Sequence, residues 1–207
     1  MDDALGRFDL ISDEVVVGSL RLSITHPRSA EELIDEAEYE RDERLPYWAE
    51  LWPSGAALAR AVAGLDLRGA RVLELGAGLG LPSLAAALRG ADVLATDWAD
   101  DAVELLRLNA GRNRVELRAE RVRWDDPALL LADAPWALVL GADLLYERRN
   151  ADQLLELLPR LGADVLLADP GRPFATGFLE RASTAWQIET TPDPRLPSGG
   201  LHRLRLR

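Results

Sequence analysis

The sequence predicts a doubly wound α/β fold, a mostly parallel sheet covered by helices on both faces with an antiparallel strand pair at its C-terminal edge. Three observations carry this prediction. Short apolar runs alternate with helix-like segments from Pro46 onward, as expected of parallel strands buried on both sides. One apolar run, Val72-Leu73-Glu74-Leu75, passes into a loop with glycine at every second position, Gly76, Gly78 and Gly80, and a helix-like segment follows. The alternation then changes near the end, where residues 185–190 and 201–207 flank a Pro-rich turn.

In chain order, residues 8–25 have strand character: Val15, Val16 and Val17, then Leu20, Leu22 and Ile24 alternating with polar residues, with Gly18-Ser19 placed to turn. Ser29 with Glu32 makes a capping box, and Glu31 and Glu32 suit the positive end of a helix dipole. This acidic helix is expected to reach about residue 44, since Pro46 disfavours helix at the residue before it. A helix over 56–63, a strand over 71–75, a helix over 84–89 ended by Gly90 and a strand over 92–96 follow. Asp100 or Asp101 caps a helix over 100–109; a weak strand signal spans 116–123 and a strong one 137–140. Residues 153–158 read as helix and 164–168 as strand. Arg203, Arg205 and Arg207 alternate along the last strand, expected to place charge on one face of an edge strand. Residues 1–45 form a strand and acidic-helix extension and residues 46–207 the main domain, one compact unit overall.

Composition limits the chemistry. The 207 residues suffice for one domain with a full core. The absence of cysteine removes disulfides, cysteine-ligated zinc, iron–sulfur clusters and a thiol nucleophile. His26 and His202, the two histidines, are expected to be structural or exposed, and no metal site is expected. The net charge of −11 disfavours nonspecific attraction to nucleic-acid phosphates. Residues 1–50 carry 14 acidic and 5 basic side chains, so most of that charge sits in the first quarter, as a solvated surface or a platform for a basic partner. All 24 basic residues are arginine. No apolar run reaches the roughly 18 residues of a membrane helix, and the acidic start lacks a signal-peptide pattern. A cytoplasmic protein is expected, without membrane or nucleic-acid partner and monomeric by default.

Glycine is needed where the backbone turns sharply or a ligand comes close. Pro82 suits the first turn of the following helix. A dinucleotide fingerprint, G-x-G-x-x-G, would need glycine at 81, which is Leu81. Asp97 ends the next strand, 23 positions after Glu74, where a carboxylate can accept hydrogen bonds from both ribose hydroxyls. Strand, glycine loop, helix, strand and terminal acid together indicate a nucleoside-containing cofactor.

These residues resemble motif I and the ribose-binding acid of the class I, seven-strand S-adenosylmethionine-dependent methyltransferases, and the resemblance covers roughly residue 48 to the C-terminus. It implies a Rossmann-like sheet of seven strands. Tyr47-Trp48-Ala49-Glu50-Leu51-Trp52-Pro53-Ser54-Gly55 and Asp143-Leu144-Leu145-Tyr146 are similar to segments of the lysine methyltransferases of non-histone proteins. Asp169-Pro170-Gly171-Arg172-Pro173 looks most like the branch that modifies the electron-transfer flavoprotein beta subunit.

The resemblance implies S-adenosyl-L-methionine as cofactor, with Gly76, Gly78 and Gly80 passing close to its methionine portion and Glu74 near its ammonium. Asp97 takes the ribose, Trp98 packs on the adenine, and Trp124 and Asp125 form the adenine-binding segment. Trp52 closes the pocket from the N-terminal side, Asp143 orients the acceptor amine and Tyr146 lines its channel. Each has a structural alternative: Glu74 facing solvent, Trp52 and Trp124 in the core, Asp125 or Asp143 capping a helix, Tyr146 packing. Arg172 meets an acidic group on the acceptor or ties down its loop. The expected function is an N-methyltransferase acting on a protein lysine, the electron-transfer flavoprotein beta subunit among the candidates. A small-molecule amine acceptor and a cofactor-binding protein without transfer activity stand as alternatives.

Overall fold

The computed structural model describes residues 5–30, 33 and 45–207. Most of the acidic helix expected over 29–44 lies outside them. Strands β1 (Leu10–Val17) and β2 (Leu20–Pro27) pair as an antiparallel hairpin that turns at Gly18-Ser19. A 3-10 turn (Tyr47–Ala49) precedes α1 (Pro53–Ala63), β3 (Arg71–Leu75), α2 (Leu81–Leu88), β4 (Asp92–Asp97) and α3 (Asp100–Arg112). β5 (Arg118–Arg121), α4 (Ala128–Ala132), β6 (Leu138–Ala142), α5 (Arg148–Leu161), β7 (Asp164–Asp169), α6 (Ala175–Ala182), β8 (Trp186–Thr191) and β9 (Gly200–Leu206) complete the chain.

Among the described residues the main sheet has seven strands in the order β5-β4-β3-β6-β7-β9-β8, the first five parallel and β9 antiparallel to both of its neighbours, β7 and β8. Period-two alternation divides its side chains between two cores. Val72, Leu138, Leu140, Leu166 and Ala168 face α1, α2, α3 and the hairpin. Leu73, Leu75, Val139, Val165 and Leu167 face α4, α5 and α6. In α5, Ala151, Leu154, Leu157, Leu158 and Leu161 are buried, the three-four spacing of a helix that hides one stripe. No helix of the described residues is long and apolar enough to cross a membrane.

Two asparagines one turn apart, Asn109 on α3 and Asn113 at its C-terminal cap, hold the hairpin. The Thr25 N–H donates to Asn109 Oδ1 at 2.8 Å, and Asn109 Nδ2 donates to the Thr25 carbonyl at 3.1 Å and the Leu79 carbonyl at 3.2 Å. Asn113 repeats the exchange with Ser23, at 2.9 and 2.8 Å. The amides stand in for a neighbouring strand, which a lone two-stranded hairpin lacks. Asn109 is fully buried, so Asn109→Ala strands three backbone groups. At about 1–3 kcal/mol per buried unsatisfied group, partly relieved by entering water, a loss of roughly 2–4 kcal/mol is expected. Thermal unfolding should show a Tm lower by roughly 5–15 °C; an unchanged Tm would discount the two asparagines as the hairpin's anchor.

Several expectations are corrected. β9 is not the edge strand: it lies between β7 and β8, and Arg203 makes a two-pronged pair with Asp164 at 2.9 and 2.6 Å. α3 is capped by neither Asp100 nor Asp101; both sit in its first turn, and the Ala99 N–H donates to Asp97 Oδ1 at 3.2 Å. α4 and α6 were not expected. α6 contains Thr176 and Gly177, poor helix formers, and forms because Ala175, Phe178 and Ala182 are buried along one side. His202 is buried against Thr190 Oγ1, and His26 contacts Asp13, both structural settings.

Candidate active site

The strand order reverses between β3 and β6, where open α/β sheets bind ligands beyond the carboxyl ends of their strands. A cavity of about 590 Å³ opens there, within the range of small-molecule sites. All eleven site residues named from the sequence line it: Trp52, Glu74, Gly76, Gly78, Gly80, Asp97, Trp98, Trp124, Asp125, Asp143 and Tyr146.

The glycine loop builds one end. Gly78 has φ +51, and a Cβ there would lie 3.1 Å from the Trp48 carbonyl oxygen, so a side chain would push against backbone. Gly80 is the left-handed residue that starts α2 at φ +84. Asp97, buried at the end of β4, accepts the Gly78 N–H at Oδ2 (2.9 Å) and so ties the loop to the sheet. A carboxylate offers about four lone-pair sites, so Asp97 keeps capacity for hydroxyls of a ligand.

Glu74 is not the solvent-facing acid that was one alternative. It is 1% exposed and shares the α2-facing side of β3 with Val72. Ser83 Oγ, in the first turn of α2, donates to its Oε2. Burial pushes the Glu74 carboxyl up to about 8, opposed by the Ser83 hydrogen bonds and assisted by the nearby Asp97 charge. Trp98 and Trp124 are half-buried at the cavity wall, and Asp125 pairs with Arg123 at 3.0 and 2.7 Å. Asp125 caps no helix, since α4 starts after Pro127 without a side-chain cap.

The other end is aromatic and ionic. Asp143 follows β6 with φ +60, a left-handed conformation that Asp and Asn tolerate better than other side-chain-bearing residues. Its own N–H donates to the Ala168 carbonyl at 2.8 Å. Ser54 Oγ donates to Asp143 Oδ2 at 3.3 Å, and Arg172 Nε donates to Oδ1 at 2.5 Å. Asp143 therefore caps no helix; α5 begins after Glu147. The Tyr47 ring stands edge-on to Tyr146 at 5.4 Å and to Trp52 at 6.0 Å, and Trp52 Nε1 donates to the Tyr47 carbonyl at 2.7 Å. Burial raises the Tyr146 hydroxyl above its ordinary value, opposed by a hydrogen bond with Asn150.

Sequence reasoning did not single out Tyr47, Ser54 or Asn150. Tyr47 and Ser54 bracket Trp52 within the one upstream motif, and Asn150 lies one turn after Tyr146 on α5, so their positions held a usable signal. Arg172 ties down its loop, the second of its two expected roles, through Asp143. Among the described residues no group of His, Cys, Asp and Glu could hold a metal ion.

A family model described as lysine methyltransferase matches residues 41–167, more than half of the chain. The chain belongs to the lysine methyltransferase family. This is the family expected from the Trp52-Pro53-Ser54-Gly55 and Asp143-to-Tyr146 segments. This lysine methyltransferase family member is 39% identical to the electron transfer flavoprotein beta subunit lysine methyltransferase of Xenopus laevis over 139 residues, covering 61% of this chain and 53% of that one. It is 35% identical to protein N-lysine methyltransferase METTL21A of Danio rerio over 127 residues, 58% of each chain. The chain thus spans about half the length of the curated relatives it matches. Among solved structures it is similar to the 16S rRNA N2 G1207 methyltransferase of T. thermophilus in complex with AdoMet and guanosine, with TM-score 0.69, 17% identity, and coverage of 96% of this chain and 51% of that one. At that identity the likeness establishes the seven-stranded, Rossmann-like fold.

Proposed function

We propose that this protein is an S-adenosylmethionine-dependent N-methyltransferase that methylates a lysine side chain of a protein by direct displacement. The observation that carries this reading is one cavity with two differently built ends: a glycine loop with two buried acids, and an aromatic end with Asp143 at its floor. The first end fits the cofactor, since Glu74 and Asp97 line the cavity beside the glycine loop and offer carboxylates to an ammonium and a ribose. When bound, S-adenosylmethionine would supply a sulfonium methyl group that a neutral nitrogen can attack, the N–C bond forming as the S–C bond breaks and S-adenosylhomocysteine leaves as a neutral thioether.

The loop backbone at Gly76, Gly78 and Gly80 would hold the methionine portion, Glu74 its ammonium and Asp97 the ribose hydroxyls. Trp98, Trp124 and Asp125 would hold the adenine, and Trp52 would close the cavity. Asp143 and Tyr146 hold and line the acceptor. Positioning is the main catalytic contribution. The acceptor must arrive neutral, and lysine at its ordinary pKa of about 10.4 is only about 0.1% neutral near pH 7.4. The names of these relatives and of the family support a protein lysine, with the beta subunit of electron-transfer flavoprotein as first candidate. The net −9 of residues 1–50 suits a basic protein surface.

The test uses methyl-labelled S-adenosylmethionine with nuclease-treated bacterial extract, and Asp97→Ala as the blank. Label in one protein band is the expected result. Label confined to the low-mass fraction would overturn the protein acceptor, and no label despite cofactor binding would overturn transfer.

Glu74 adds a pH signature. Its carboxyl is raised to about 8 in the folded protein, so the ligand-free fold loses stability as pH rises from the ordinary carboxylate range towards 8. An ammonium placed against Glu74 favours the charged form, so cofactor binding releases the proton. Affinity should rise with pH between about 6 and 8, by at most about tenfold per unit. Calorimetry in buffers of different ionisation enthalpy should detect this release in the wild type and not in Glu74→Gln; equal release in both would remove Glu74 from the ammonium site.

A further inference from the structure

An amine acceptor poses a problem that Asp143 alone makes worse. A bare carboxylate stabilises the ammonium form, whose nitrogen has no lone pair for the methyl group. The surroundings of Asp143 resolve the conflict. Arg172 Nε donates to Asp143 Oδ1 at 2.5 Å, and the guanidinium carbon lies 5.4 Å from the Trp52 ring centroid. The Arg172 backbone is fixed as well: its N–H and that of Gly171 donate to Asp169 Oδ1 at 2.7 and 2.8 Å. Gly171 turns the loop with φ +97. Asp143 is 8% exposed at its side chain and Arg172 32%, so the pair meets where solvent screening is weak.

We propose that Arg172 makes the acceptor pocket select the neutral amine over the ammonium. It cancels the charge of Asp143 and repels a second cation, while Asp143 Oδ2, contacted by Ser54 Oγ, keeps lone pairs that accept an amine N–H. This rests on the reading of the cavity as an N-methyltransferase site, and gives that site a positioning residue acting through Asp143. One further acid bears on this end: Asp169, whose charge acts on both Arg172 and Asp143. Tyr47 and Tyr146 present hydroxyls, and Glu147 and Arg149 pair with each other. Glu50 is exposed at the rim, and Glu74 and Asp97 stand at the glycine-loop end. Behind Arg172, Asp169 is buried with its carboxyl raised by burial, and its Oδ2 has no hydrogen-bond partner among the described residues.

The probe is n-butylamine, a lysine side chain without its backbone, titrated into the protein's complex with S-adenosylhomocysteine. That thioether carries no sulfonium charge, so Arg172 is the cation under test. Tryptophan fluorescence follows binding from pH 7 to pH 9. In the wild type the apparent affinity should rise about tenfold per pH unit, tracking the neutral fraction of an amine of pKa about 10.4. In Arg172→Gln the freed carboxylate holds the ammonium, so binding at pH 7 should be tighter than wild type and nearly flat with pH. Arg172→Ala is the second variant for the same loss, and Arg172→Lys, which keeps the cation, should restore the wild-type slope. Parallel slopes in wild type and both charge-removing variants, or no binding to wild type at pH 9, would overturn the proposal. The two readings fail separately: different slopes without a labelled protein band retire the lysine acceptor and keep Arg172, and a labelled band with parallel slopes does the reverse.

Discussion

Asp97→Ala is expected to weaken S-adenosylmethionine binding by at least about 100-fold, the largest effect of any single change on the cofactor. Two contributions add. Hydrogen bonds from ribose hydroxyls to an ionised, buried acceptor are worth about 1.5–3 kcal/mol each, so losing both accounts for roughly two to four decades of affinity. The same change frees the glycine loop, because Asp97 Oδ2 takes the Gly78 N–H at 2.9 Å and Oδ1 the Ala99 N–H at 3.2 Å. Asp97→Asn separates the two. Its one amide oxygen can keep the Gly78 bond and accept a single ribose hydroxyl, while the NH2 accepts nothing, so an intermediate affinity is expected. Calorimetric titration of both variants with S-adenosylmethionine decides the matter; undiminished affinity in Asp97→Ala would remove the ribose assignment.

The parts of this site that were legible in the sequence are those fixed by neighbours along the chain. The run Val72 to Leu75, the glycines after it and the acid ending β4 form one β-α-β unit, whose geometry is set within about 30 residues. The burial of Glu74 was not read from the sequence, which left it near an ammonium or facing solvent; it follows from the helices that cover both faces of β3. What was hidden depends on strand order. Arg172 meets Asp143 because β6 and β7 lie side by side and deliver both loops to one rim, and no local pattern states which acid an arginine will find. The interior place of β9 was hidden for the same reason. An alternating arginine strand is a fair sign of an edge until Asp164 on the neighbouring strand offers Arg203 its partner. α6 shows the converse limit, a helix whose Thr176 and Gly177 obscure its start while burial of Phe178 holds it against the sheet.

Asp143→Asn is expected to reduce methyl transfer by about 100-fold or more while leaving the affinity for S-adenosylhomocysteine within about twofold. The replacement is chosen for the backbone. Asp143 sits at φ +60, where Ala would add roughly 1–2 kcal/mol of strain and Asn adds little, so the loop after β6 should keep its shape. Transfer by displacement depends on a near-linear approach, and displacement of the acceptor by about 1 Å is enough for a loss near 100-fold. Asn also removes the carboxylate that Arg172 Nε pairs with, leaving the guanidinium less compensated beside the acceptor and compounding the loss. Single-turnover transfer at saturating cofactor, compared with equilibrium binding of S-adenosylhomocysteine, separates the outcomes. Full transfer would remove Asp143 from the mechanism. A parallel collapse of cofactor affinity would recast Asp143 as a support of the cavity, acting through Ser54 and Arg172 on the segment that carries Trp52.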